Sequence, residues 1–123
     1  MPETPSARLR LPRSSRIKST SDFARTRTKG QRFTCGCLIL NFADRPAGLP
    51  SRVGVITSRK IGDAVVRSRA RRLLRETFRL HQHDLVRPVD VVLVARASIV
   101  GKKFAEVERD FLKALALTDL TRK

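Results

Sequence analysis

The chain has no tryptophan and no tyrosine, so its six aromatic residues are all phenylalanine. Any stacking surface must therefore come from phenylalanine rings or guanidinium planes. Two cysteines, Cys35 and Cys37, are too few for a disulfide framework. Their one-residue spacing suits neither a disulfide between them nor a structural zinc site without distant partners, and they read as buried or half-buried thiols. No apolar run approaches the ~20 residues that a membrane span needs, and nothing near Met1 resembles the apolar core of a signal peptide. A cytoplasmic protein is expected. Acidic residues are scarce: 11 against 27 Lys and Arg, a formal charge of +16 and a pI of about 11.6. Such a charge opposes compaction by self-repulsion and implies a polyanionic partner, nucleic acid or an anionic membrane surface.

Catalytic constellations are lacking as well. No Gly-rich loop has phosphate-binding spacing, and no Ser, His and Asp set suggests a triad. His81 and His83 stand near a predicted helix end with no Cys or clustered acids beside them, which reads as a solvated or capping role. Glu106 and Asp110, four apart, fit a solvent face better than a Mg²⁺ site. No catalytic and no metal-ligating residue is assigned to the protein.

What remains is one domain of 123 residues with 41% hydrophobic content, enough for one modest core. Residues 1–18 carry Pro2, Pro5 and Pro12 among Ser and Arg and read as a flexible basic arm; a transit peptide has similar composition. Residues 19–123 form the single folded domain. A first helix is expected over about 20–29, capped by Ser19, Thr20 or Ser21 and ended by Gly30. Phe33 to Ala43 reads as one long strand or two short ones, closed by a turn over 44–50. Val53 to Thr57 is a β-branched strand, left through Ser58, Arg59, Lys60 and Ile61. Asp63 caps a long helix from about Ala64 to His81. Val89 to Ala95, interrupted only by Asp90, reads as a buried central strand. A last amphipathic helix packs through Phe104, Val107, Phe111, Leu112 and Leu115, leaving Glu106 and Asp110 outside.

The long helix carries the most information. At 100° per residue Arg67, Arg71, Arg75, Arg79 and Arg72 fall on an arc of about 140°, with Arg69 beyond its edge. Val66, Ala70, Leu73, Leu74 and Leu80 oppose them as the packing side. Arg67, Arg71, Arg75 and Arg79 make an unbroken i,i+4 row of like charges, each pair costing an isolated helix ~0.2–0.5 kcal/mol, with Glu76 alone to offset them. Guanidinium forks suit bidentate phosphate contacts. A membrane surface fits less well, because the leucines are needed for the core.

The stretch IGDAVVRSRARRLLR, Ile61 to Arg75, resembles the signature of the protein subunit of bacterial ribonuclease P. Ala64, Arg67, Arg69, Arg71, Arg72 and Arg75 match it, while Ser68 stands for the usual asparagine and Ala70 for a larger aliphatic residue. RIKSTSDFARTRTKG is similar to the family's first helix, RVGVITSRKIG to its strand and exit, and DVVLVAR to its last strand. The resemblance implies an α+β fold, an α-β-β-β-α-β-α two-layer sandwich whose βαβ crossover is left-handed, against the ~98% right-handed rule. It implies a role beside a catalytic RNA that removes the 5′ leader of precursor tRNA. Arg67, Ser68, Arg69, Arg71, Arg72 and Arg75 would then bind the catalytic RNA. Phe23, Arg27, Ile39, Asn41, Arg59 and Lys60 would bind the leader, with Arg27 and Asn41 standing where the family often has aromatics. It also implies no cofactor on the protein alone, with Mg²⁺ held by the RNA subunit. The competing readings are a small basic ribosomal or general RNA-binding protein and, more remotely, a DNA-binding helix, for which no helix-turn-helix pattern is present.

Overall fold

The computed structural model describes residues 16–18 and 20–121. The flexible basic arm, over residues 1–15, and Ser19 as a helix cap lie outside that range. The elements are α1 (Thr20–Lys29), β1 (Gln31–Cys35), β2 (Leu38–Asp44), β3 (Arg52–Ile56), α2 (Ala64–His81), β4 (Val89–Ala95) and α3 (Phe104–Ala116). The run from Phe33 to Ala43 thus resolves into two strands. Gly36 turns between them at φ +57°, the left-handed value that the first central position of a type II′ hairpin demands.

Among the described residues four strands form one sheet in the order β1-β2-β4-β3. β1 and β4 both run antiparallel to β2, while β3 runs parallel to β4 with α2 as the crossover. β4 is central, as its apolar run foretold: every residue but Val94 is buried. One face of the sheet, through Leu38, Leu40, Phe42, Val53, Val91 and Leu93, makes the core with Ala70, Leu74 and Phe78 of α2 and Val107, Phe111, Ala114 and Leu115 of α3. These are the two layers of the sandwich. The opposite sheet face carries Ile39, Asn41, Asp90, Val92 and Val94, and α1 lies across it.

Several sequence expectations shift. Ile17, assigned to the arm, is buried, and its N–H donates to Val53 O at 2.9 Å along the outer edge of β3. The buried side of α2 is Ala70, Leu74, Thr77 and Phe78, with Leu73 and Leu80 half-buried at its flank. Phe78 falls between Arg67 and Arg71 on the helical wheel. The packing side is therefore rotated toward the arginine row, which the aliphatic stems of Arg67 and Arg71 tolerate. On α3 the buried stripe is Val107, Asp110, Phe111, Ala114 and Leu115, while Leu112 is exposed. Asp110 is thus not on a solvent face. It is 6% exposed, and its carboxylate accepts from the Cys37 N–H at 3.0 Å, tying the β1–β2 hairpin to α3.

Candidate nucleic-acid interface

Asp63 starts α2 as expected: its side chain accepts from Val66 N–H at 3.0 Å. From there the helix presents Ser68, Arg69 and Arg72 exposed and Arg67, Arg71, Arg75 and Arg79 half-buried. Their partners divide them. Arg71 is held by Thr57 Oγ1 at 2.8 Å and Ser68 Oγ at 3.2 Å, which fixes its fork beside the exit of β3. Arg69 donates to Lys102 O at 2.8 Å, and Arg79 pairs with Glu76 at 2.6 Å. Burial and then the charges of Arg16 and Arg71 push the Arg75 guanidinium below its ordinary pKa. Arg75 is thus a partly desolvated cation close to two others. Arg16, Arg72, Arg75 and Arg79 line one hollow on this face together with Glu76, the partner of Arg79.

The leader-assigned residues occupy three places. With the fully buried Thr26 facing the sheet, Phe23 and Arg27 fall on the same flank of α1. Phe23 lines a groove of about 330 Å³ with Arg16, Ile17, Lys18, Gly54 and Arg75. Its ring edge occupies the place that a Cβ at residue 54 would take, so only glycine lets the half-buried ring lie against β3. Arg27, Ile39 and Asn41 line a second groove of about 310 Å³, with Ala24, Arg32 and Val94. Asn41 forms part of its floor: it is 3% exposed and its Nδ2 donates to Val92 O at 3.4 Å. Arg59 and Lys60 sit exposed on the 3-10 turn after β3 and line neither groove. Arg32 escaped the sequence reading, although the hairpin register that sets it opposite Asn41 follows from Gly36 as a turn.

On the other flank of α1 is a polar cluster that the sequence did not signal beyond one acid in an apolar strand. Asp90 is fully buried. Arg52 binds it in bidentate fashion, Nε to Oδ1 and Nη2 to Oδ2, both at 2.8 Å. Arg25 Nη2 reaches it at 2.9 Å and Arg45 Nε at 3.5 Å, and Arg52 also reaches Asp22 at 3.2 Å.

The remaining chemistry-bearing residues are structurally engaged. His81 is not a solvated end group: its Nδ1 lies 3.1 Å from Asp84 and its Nε2 lies 2.8 Å from Glu108 of α3, an acid 27 positions away that a linear reading could not place beside it. His83 is exposed. Glu106 Oε1 accepts from the Lys103 N–H at the start of α3, at 3.0 Å. Cys35 and Cys37 are both free thiols; burial, then the hydrogen bond and charge of Asp110, push Cys37 up to about 12. Among the described residues no group of three or more His, Cys, Asp and Glu is placed so that it could hold a metal ion, and no helix is long and apolar enough to cross a membrane.

The geometry is one of cationic surfaces and shallow grooves, and comparison with known proteins agrees in kind. The ribonuclease P family model matches residues 11–118. The ribonuclease P protein component of Desulfovibrio desulfuricans is 37% identical over 108 residues, covering 85% of this chain and 83% of that one. That of Beutenbergia cavernae is 35% identical over 113 residues, covering 92% and 95%. In fold, the chain is similar to the RNase P protein of Staphylococcus aureus, with a TM-score of 0.78 at 23% identity over 88% of this chain and 98% of that one. The RNase P protein of Thermotoga maritima gives 0.74 at 24% identity, covering 85% and 97%. These matches do not favour a ribosomal or general RNA-binding protein. A family match across nearly the whole folded region, with relatives above 30% identity along most of their own length, means that the chain belongs to the ribonuclease P protein family.

Proposed function

We propose that this protein component acts in the cytoplasm beside a catalytic RNA, binding that RNA through α2 and holding the 5′ leader of precursor tRNA along α1. The observation that carries the reading is the arginine sector of α2, where Arg72, Arg75 and Arg79 share a hollow with Arg16 and with Glu76, which pairs with Arg79, and where half-buried Arg75 lies close to the charges of Arg16 and Arg71. Arg67, Ser68, Arg69, Arg71, Arg72 and Arg75 are assigned to the catalytic RNA. Phe23 and Arg27, with Ile39 and Asn41 on the sheet beneath, are assigned to the leader. Phe23 offers a stacking face, and Arg27 offers a guanidinium plane or a phosphate contact. Arg59 and Lys60, outside both grooves, are assigned to the leader's backbone where it leaves the protein.

In this reading Mg²⁺ belongs to the RNA, where it would supply the activation of water and the charge stabilisation that phosphodiester hydrolysis needs. The protein's acids support it by being otherwise employed: Asp90 holds three arginines, Asp110 holds a hairpin, and Glu108 and Asp84 hold His81. Its own residues bind, orient and neutralise. The test is reconstitution. Purified protein freed of RNA should leave precursor tRNA intact over hours in Mg²⁺, and adding the catalytic RNA at low Mg²⁺ should start cutting at the leader junction. Cleavage by the protein alone, or no stimulation of the RNA, would overturn the reading.

A further inference from the structure

α1 is nearly devoid of apolar residues. In TSDFARTRTK only Phe23 and Ala24 qualify; Ala24 is exposed and Phe23 lies in a groove. Hydrophobic packing therefore does little to fix where this helix rests on the sheet. What fixes it is polar, and it lies on the flank away from the groove. Arg25 Nη2 meets Asp90 Oδ2 at 2.9 Å, and Asp22 Oδ2 accepts from Arg52 Nη2 at 3.2 Å. Arg52 is itself locked on Asp90 by two bonds of 2.8 Å. Two bridges from consecutive turns of α1 thus converge on one fully buried carboxylate of the central strand. A buried ion cluster is a poor source of net stability but enforces one geometry, because any other arrangement strands a buried charge.

We propose that Asp90 is the positioning residue of the two grooves along α1: through Arg25, and through Arg52 and Asp22, it sets the distance of Phe23 from Gly54 and of Arg27 from Asn41. This rests on the assignment of those grooves to the leader. Asp90 touches no RNA; it acts through the helix. With α1 freed from it, the protein keeps its core and its α2 surface but loses the spacing that makes one seat for an extended strand.

The test uses reconstituted holoenzyme and the ratio of its affinities for precursor and mature tRNA. Asp22→Asn with Arg25→Gln cuts both bridges while Asp90 keeps Arg52 and Arg45, so the sheet is not left with a bare charge. Asp110→Asn, on the opposite sheet face, is the control for loss of a tertiary carboxylate contact away from α1. The bridge variant should lower the ratio at least fivefold, leave affinity for the catalytic RNA within twofold of parent, and speed amide hydrogen exchange of α1 at least tenfold in the free protein. Arg25→Lys, which restores the cation, should recover most of the ratio, and Asp110→Asn should keep it at the parental value. If Phe23→Ala lowers the ratio while the bridge variant retains it, the positioning role is refuted and the leader assignment stands. A parent protein that shows no leader-dependent affinity refutes both.

Discussion

At the scale of single residues, contact between Phe23 and Gly54 separates a core role from a binding role. The ring is half-buried against backbone, with one side in a groove. Phe23→Ala should therefore cost less stability than the ~3–5 kcal/mol of a core phenylalanine and weaken precursor tRNA binding by ~1–3 kcal/mol, with mature tRNA unaffected. Gly54→Ala places a methyl where the ring edge now sits; it should lose ~1–3 kcal/mol of stability by overpacking together with the same selective binding. Melting curves and paired affinities check both, and a full core penalty for Phe23→Ala would remove it from the groove.

Asp110 supplies a second residue-scale expectation. Burial raises its pKa, but the Cys37 N–H and thiol, then Arg109 and Lys113, outweigh burial and leave the carboxyl below its ordinary value. A folded-state pKa below the unfolded value of ~3.9 contributes stability above that pH, and the contribution is lost as pH falls through the folded value. Asp110→Asn should cost about 1–3 kcal/mol at neutral pH and flatten the acid limb of stability below about pH 4. Denaturant melts across that range are the measurement; parallel limbs for parent and variant would deny the carboxylate its role.

At the scale of elements, α2 behaves as a charged rod half set into the protein. Changing Arg67, Arg71 and Arg75 together to Glu should leave the sheet folded, since Ala70, Leu74, Thr77 and Phe78 do the packing. It should weaken binding to the catalytic RNA by several kcal/mol, and the slope of log K against log[salt] should become shallower by roughly two to three, at ~0.9 per phosphate released. Equal slopes would mean that these arginines meet no phosphate. This helix was the most legible part of the chain, because i,i+4 repetition of one residue type needs no tertiary knowledge. Strand positions and α3 were legible in outline. Asp110 was misread because the wheel took Leu112 for the stripe and gave Ala114 no weight, although a small residue at a helix–sheet contact is what lets the two approach. The Asp90 cluster was invisible for a different reason: its members lie at 22, 25, 45, 52 and 90, and only the strand order brings them together.

At the scale of the whole molecule, the surface separates into functions. α2 and α1 lie against opposite faces of one sheet, yet Arg16 and Arg75 line the same groove as Phe23 at the β3 edge. The two assigned RNA surfaces therefore meet along that edge rather than standing back to back. Part of this was readable from the sequence as charge and motif order. The meeting point was not, because Ile17 reads as arm until its N–H is seen on Val53 O.

The strand order has a consequence for how such a chain comes into being. β4 is made last of the four strands yet lies between β2 and β3, so no sheet larger than the β1–β2 hairpin can form until residue 95 has been synthesised. Until then β2 and β3 each wait with an inner edge open, while α2, already made, carries its arginines on a chain without a core. A nascent protein of this design meets polyanions before it can fold around β4, and the non-local closure makes the final step slow compared with helix formation. A chain ended at Pro88 should give no cooperative melt, whereas one ended at Thr121 should melt like the parent; a cooperative transition in the shorter chain would show that β4 is dispensable. Order along the chain and order across the sheet differ here, and the last strand to emerge is the one that closes the fold.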